Sequence, residues 1–292
     1  MKIGVAGLGL MGSGIANRLL TSGFELSVYN RSKSKTEVFS GRARIAANPA
    51  ELARNCDLVI TVVTDFEALK EVLLGDQGVV KSGNKGLVVA DASTISPSQS
   101  ESCAANLRKY SMEMLGMPVM GGPAAAETGE LVPIVSGSKL AFEKAKPAIE
   151  ALGKSIFYLG DRDGAANAIK LALNVNIALT ASAVSEGITL VKSMGIDPAI
   201  FIQVLNSTHF KTGLSEKKGP KMAAGNFEPS FHLRNMLKDL ELASSTALSE
   251  KITLPQTALA QQIFRAANNS GYAELDYTAI CAYLAKINGI DK

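Results

Sequence analysis

The chain has 292 residues, of which 47% are hydrophobic and 20% charged, and a formal net charge of +3. This is an ordinary balance for a folded globular protein long enough for two domains, and the small, scattered positive charge does not by itself suggest a nucleic-acid surface, so no nucleic-acid partner is expected. Cys56, Cys103 and Cys281 are far apart and form no CxxC or Cys/His cluster, so neither a disulfide framework nor a zinc site is expected. The N-terminus has no basic leader, and no run of about 18 uncharged apolar residues occurs, so a cytoplasmic protein without a membrane span is expected.

In chain order, short apolar runs come first: Lys2–Ala6, Glu25–Tyr29, Asp57–Val63, Gly86–Asp91, Glu113–Val119, Val132–Ser136 and Ser155–Tyr158. Several are β-branched and five to seven residues long, which reads as buried strands. Helix-like segments separate the first four: Met11–Ser22, then Lys33–Phe39 with Pro49–Arg54, then Phe66–Leu74. Strand–helix alternation of this kind means βαβ units and a parallel sheet. The texture changes after Gly164. Ala165–Met194 lacks proline and reads as one helix of about 30 residues, roughly 45 Å long. Gly195-Ile196-Asp197-Pro198 ends it and opens the next helix. Pro198–Asn206, Leu233–Ser249, Leu254–Asn268 and Tyr277–Lys286 are also helical in pattern. The expected fold is an α/β Rossmann domain over 1–163 and an all-helical domain over 164–292, joined by the long helix.

Gly7-Leu8-Gly9-Leu10-Met11-Gly12 lies between the first strand and the first helix. In that context the three glycines serve a tight turn, the approach of a pyrophosphate and close helix packing. The end of the second strand reads Val28-Tyr29-Asn30-Arg31-Ser32-Lys33 and carries no carboxylate for a ribose 2′-hydroxyl. Arg31 can fork onto a phosphate, Ser32 can add a hydroxyl, and Lys33 and Lys35 add positive potential. The pattern favours NADP, with NAD as the alternative. Val63 ends the third run and Thr64 follows it, and Ser93 and Thr94 follow the fourth. In open α/β sheets ligands bind at these carboxyl ends. Ser93 and Thr94 are therefore expected to touch the cofactor or, for Ser93, the substrate as well, with a capped turn before Pro97 as the alternative.

Later stretches complete a pattern: Asp91-Ala92-Ser93-Thr94-Ile95-Ser96-Pro97, Pro118-Val119-Met120-Gly121-Gly122-Pro123, Lys170-Leu171-Ala172-Leu173-Asn174 and Lys238-Asp239-Leu240. With the glycine turn, these five ordered motifs resemble the β-hydroxyacid dehydrogenases from Met1 to about Ile287. The resemblance implies a hydride-transferring enzyme that interconverts a small hydroxyacid and its semialdehyde or oxoacid. It puts the catalytic lysine on Lys170, acting as general acid/base. Asn174, one turn further along the helix, would orient substrate. Lys238 would close the cofactor site, Phe231 would pack near the nicotinamide or simply in the core, and Asp239 reads as a structural helix residue.

One stretch departs from the family. The usual Asp-Ala-Pro-Val-Ser-Gly-Gly is here Gly116-Met117-Pro118-Val119-Met120-Gly121-Gly122. The amides of Gly121 and Gly122 can still form an anion-binding nest. Met120, in place of the serine, predicts a less polar or differently bound substrate. The resemblance also leaves an imine reductase and a non-catalytic dimerisation module as alternatives; Lys170 speaks against the first, and Lys170, Asn174 and Lys238 against the second. His209 and His232 have no acidic or cysteine partners at ligand spacing, so no metal is expected. His209 reads as a loop residue or a cleft contact. The long helix is apolar on more than one face, which predicts a homodimer or homotetramer.

Overall fold

The computed structural model describes residues 1–290. The chain divides into two compact units, Met1–Lys170 and Leu171–Lys292. The first holds a parallel sheet of β1 (Lys2–Ala6), β2 (Glu25–Tyr29), β3 (Arg44–Ile45), β4 (Leu58–Thr61), β5 (Val88–Asp91) and β6 (Glu113–Gly116). Their order is β3-β2-β1-β4-β5-β6, the doubly wound arrangement. After β3 the chain crosses to the far side of β1, so the carboxyl ends of β1 and β4 flank the switch point, where such sheets bind ligands.

The sheet is buried on both faces because its strands alternate with period two. Ile3, Val5, Leu58 and Ile60 pack on α1 (Leu10–Thr21), through Ile15 and Leu19, and on a helix at Lys139–Leu152, through Phe142 and Ile149. Val59, Val89 and Met114 face the other way, onto α3 (Pro49–Ala53), α4 (Phe66–Leu74) and α5 (Pro97–Arg108). A four-residue helix, α2 (Ser34–Glu37), follows β2.

Three features of this unit differ from the sequence expectation. Glu113–Val119 is two strands: β6 ends at Gly116, and β7 (Val119–Met120) pairs antiparallel with β8 (Val132–Val135). Pro118, which has no amide to donate, breaks the run. β8 also pairs with β9 (Phe157–Tyr158), giving a small second sheet. β3 is only two residues long, too short to leave a periodic signal. Three helices are additional: α5, α6 (Pro123–Thr128) and α7 (Lys139–Leu152). Polar composition hid α5 and Pro147 obscured α7, although Ser96-Pro97-Ser98-Gln99 is a complete capping box with proline at the first position.

α8 spans Ala165–Ser193. Its one glycine, Gly187, makes room for the Phe201 ring of α9 (Pro198–Asn206). By length and composition α8 matches a membrane span, but Lys170, Asn174 and Glu186 interrupt it and Ala178, Ala181, Val184 and Ile188 are buried in apolar clusters. Two short helices not expected from sequence, α10 (Gly213–Lys217) and α11 (Gly219–Ala223), follow α9. α12 (Leu233–Ser249) presents Leu233, Met236, Leu237 and Leu240 at helical spacing to α13 (Pro255–Ala267) and to Ile280, which opens α14 (Ile280–Ile287). The second unit is all-helical.

Candidate functional site

The turn after β1 is shaped by what its glycines lack. Gly7 has φ +99°, and a Cβ there would collide with the Val62 carbonyl. A Cβ on Gly12 would collide with the Gly7 carbonyl. Both glycines are therefore required by the protein's own packing. At Gly9 a Cβ would meet nothing within 4 Å. Packing gives no reason for that glycine, whereas close approach of a ligand does. Gly9 is the N-cap of α1, whose first turn carries no capping side chain and no acidic residue. Its amides and the helix dipole suit a phosphate. The residues present thus fit the pyrophosphate of a dinucleotide.

Asn30 ties this turn to the end of β2. Its Oδ1 accepts the Leu8 amide at 2.8 Å and its Nδ2 donates to the Ser32 carbonyl at 3.0 Å. Arg31, Ser32 and Lys35 are exposed beside it, and among the described residues Arg31 forms no ion pair. Leu10 is exposed at the helix start and Met11 is half-buried.

Beyond β4, Val63 is half-buried and Thr64 exposed. The Val63 amide donates to the Ser93 hydroxyl at 3.0 Å. Ser93 is 2% exposed, and its own amide donates to Asp91 at 3.2 Å. Asp91, fully buried, also accepts the Thr61 hydroxyl at 2.7 Å. Ser93 therefore joins the loops after β4 and β5, while Thr94 next to it is half-buried.

Lys170 lies on α8 with its ammonium 2.9 Å from the Val119 carbonyl and 3.3 Å from the Met120 sulfur. The residue that replaces the family's serine is thus in direct contact with the lysine. Gly121 has φ +118°, with Leu131 and Ala125 close to where a Cβ would sit. Gly122 faces open space at the start of α6.

In the second unit Asn174 donates to Asp239 Oδ2 at 2.6 Å. The other oxygen of Asp239 lies 3.0 Å from the Lys238 ammonium. Asp239 is 1% exposed. It is the residue that sequence reasoning undervalued: one buried carboxylate anchors both Asn174 and Lys238. Its place next to Lys238 was visible, but its burial depended on packing. Phe231 is half-buried and meets Tyr277 edge to face, with centroids 6.2 Å apart. The backbone around Phe231 is held by Asp276, which accepts from Lys218 at 2.7 Å and from the Ser230 amide at 3.0 Å. His209 is exposed, and His232 Nδ1 lies 2.8 Å from the Glu274 carbonyl.

Residues 2–160 match the family model for the NAD binding domain of 6-phosphogluconate dehydrogenase, and residues 164–284 match the NAD-binding domain of NADP-dependent 3-hydroxyisobutyrate dehydrogenase. Glyoxylate/succinic semialdehyde reductase 2, chloroplastic, of Arabidopsis thaliana is 31% identical over 281 residues, 96% of this chain and 78% of the relative. The 2-hydroxy-3-oxopropionate reductase of Escherichia coli strain K12 is 32% identical over 280 residues, 96% of each. The chain belongs to the β-hydroxyacid dehydrogenase family.

This β-hydroxyacid dehydrogenase shares its fold with a crystal structure of 3-hydroxyisobutyrate dehydrogenase from Salmonella typhimurium. The TM-score is 0.88 at 27% identity, covering 97% of this chain and 99% of the other. As a member of the family it is an NAD(P)-dependent oxidoreductase acting on a hydroxyacid/carbonyl pair.

Proposed function

We propose that this β-hydroxyacid dehydrogenase is an NADP-dependent reductase of small semialdehydes or 2-oxoacids, with Lys170 as general acid/base. The observation that carries the reading is the Lys170 ammonium held against the Val119 carbonyl and the Met120 sulfur. When bound, the nicotinamide supplies or takes the hydride. Lys170 gives a proton to the carbonyl oxygen in reduction and accepts it from the hydroxyl in oxidation. The family's roles for Asn174 and Lys238, substrate orientation and a cofactor contact, fall on two groups held by the one Asp239 carboxylate. The glycine turn with Leu8, Leu10 and Met11 carries the pyrophosphate, and Val63, Thr64, Ser93 and Thr94, in the same unit, line the rest of the cofactor's path. The preference for NADP rests on exposed Arg31, Ser32 and Lys35 and on the absence of a carboxylate after Tyr29.

The apolar Met120 side chain at the lysine supports a substrate with less polar bulk than a plain 3-hydroxy acid. Exposed Leu173 and Leu190 on α8, with exposed Met194 just after it, support a homodimer or homotetramer, which light scattering checks.

The test follows oxidation of NADPH and NADH with glyoxylate, succinic semialdehyde, methylmalonate semialdehyde and a cyclic imine. Reduction of an aldehyde or oxoacid, preferring NADPH, is expected. Lys170→Ala is expected to lower kcat by about 10²–10⁴-fold, and Arg31→Ala to erode the preference for NADPH. Turnover of the imine alone would reject the reading. Met120→Ser should shift KM toward more polar acids; an unchanged profile would remove Met120 from substrate selection.

A further inference from the structure

Helix α8 begins against the end of β6, and this joint contains a buried group with no assigned role. Gly116 and Ser136 exchange both backbone hydrogen bonds, at 3.0 and 2.9 Å. The Ser136 hydroxyl accepts the Ala166 amide at 3.0 Å. The next residue, Asn167, is 1% exposed, and neither its Nδ2 nor its Oδ1 has a hydrogen-bond partner in the protein. A Cβ on Gly116 would lie 2.8 Å from Asn167 Oδ1, 3.3 Å from the Ser100 hydroxyl and 3.5 Å from the Ser136 hydroxyl. Gly116 is therefore the position that leaves room for the carboxamide, and three polar side chains converge there.

A carboxamide buried without partners is destabilising, and polar sites of this kind are completed by ordered water. Asn167 and Lys170 are three residues apart on one helix, so they lie on the same side of it. Gly116 and Val119 are also three residues apart. The stretch that meets Asn167 at one end therefore meets the Lys170 ammonium at the other, 2.9 Å from the Val119 carbonyl.

We propose that Asn167 is a positioning residue for Lys170, its carboxamide binding ordered water with Ser100 and Ser136 in the space left by Gly116 and thereby fixing the first turn of α8. The role rests on the reading of Lys170 as the general acid/base, and the experiment separates the two. Competitive acetylation of the full-length protein with acetic anhydride, read by peptide mass spectrometry, reports the exposure of Lys170 without any substrate, with exposed Lys139 as the reference. Asn167→Ala is expected to raise relative labelling of Lys170 at least threefold, and Asn167→Ser to bring it back toward the parent value. In the assay above, Asn167→Ala should lower kcat about 10-fold and displace its pH profile, with the KM for NADPH unchanged. Gly116→Ala should lower Tm, and Asn167→Ala added to it should recover most of the loss. A crystal structure of the parent should show water within hydrogen-bond reach of Asn167.

Unchanged labelling together with kcat within twofold in Asn167→Ala overturns the proposal, as does additive Tm loss in the double variant. If Lys170→Ala keeps full activity, the general acid/base reading fails, and with it the catalytic purpose of the joint. The labelling and Tm results still decide whether Asn167 positions the side chain.

Discussion

The glycine turn of the first unit and the Asn174–Asp239–Lys238 group of the second hold functional groups in opposite ways. The turn works through missing side chains: Gly7 and Gly12 are demanded by nearby carbonyls and Gly9 by nothing in the protein. The second group works through a carboxylate that is 1% exposed and holds both Asn174 and Lys238. Backbone sites of the first kind tolerate almost no added atoms, whereas the second tolerates no lost charge.

The strongest way to break this contrast is Asp239→Ala. It would leave the Asn174 amide and the Lys238 ammonium without their shared acceptor, and removing one partner of a buried pair costs about 3–5 kcal/mol. Chemical denaturation should show a loss of that size; a change below about 1 kcal/mol would mean that the carboxylate is not an anchor. Gly12→Ala should come next, because its Cβ meets the Gly7 carbonyl. Overpacking of this kind costs about 1–3 kcal/mol, visible in the same denaturation experiment. Gly9→Ala sharpens the contrast. Its stability should stay within about 0.5 kcal/mol of the parent, while NADPH affinity, followed by fluorescence, should fall about tenfold, equivalent to about 1.4 kcal/mol. Equal effects at Gly9 and Gly12 on stability would remove the distinction between them.

A smaller effect concerns acid. Burial alone would raise the Asp276 pKa, but hydrogen bonds from Lys218, the Ser230 amide and Thr278, with the Lys218 charge, hold it below the ordinary carboxylate value. A folded pKa below the unfolded value of about 3.9 adds stability that is complete above that pH and is lost as pH falls through the folded value. Lys218→Met should therefore move the acid-unfolding midpoint upward, read by circular dichroism. The smallest expected signal is from the thiols. Burial pushes Cys56 up to about 11 and Cys103 up to about 12, so the thiolate is scarce at neutral pH. Native protein at pH 7.5 should label slowly at both. Fast labelling would show that the helices covering the sheet open readily.

The same contrast explains what was legible in the sequence. The glycine spacing, the β-branched runs and the proline-free helix carry their signals locally, so the Rossmann unit and α8 were readable from one strand or helix at a time. The pairing of Lys170 with Val119 joins residues 51 apart, and that of Asn174 with Asp239 joins residues 65 apart. Motif order pointed to Lys170, Asn174 and Lys238, but only packing reveals what each touches. Asn167 carried no motif at all. Its burial comes from the glycine opposite it, and a glycine's reason is rarely visible in its own neighbourhood of the chain. Ser93 shows the converse: the motif marks it, and the structure gives its hydroxyl to the Val63 amide.

Asn30 has a consequence for how long the protein lasts. Its carboxamide must accept on one side, from Leu8, and donate on the other, to Ser32. Asparagine side chains are among the thermolabile groups of proteins. Hydrolytic loss of ammonia from Asn30 would set a carboxylate oxygen against the Ser32 carbonyl and put a negative charge beside the place that the proposed function gives to a 2′-phosphate. The same carboxylate would suit a ribose hydroxyl. On the proposed preference for NADP, ageing at this one atom would thus move the molecule's choice toward the other nicotinamide dinucleotide without any change in its gene.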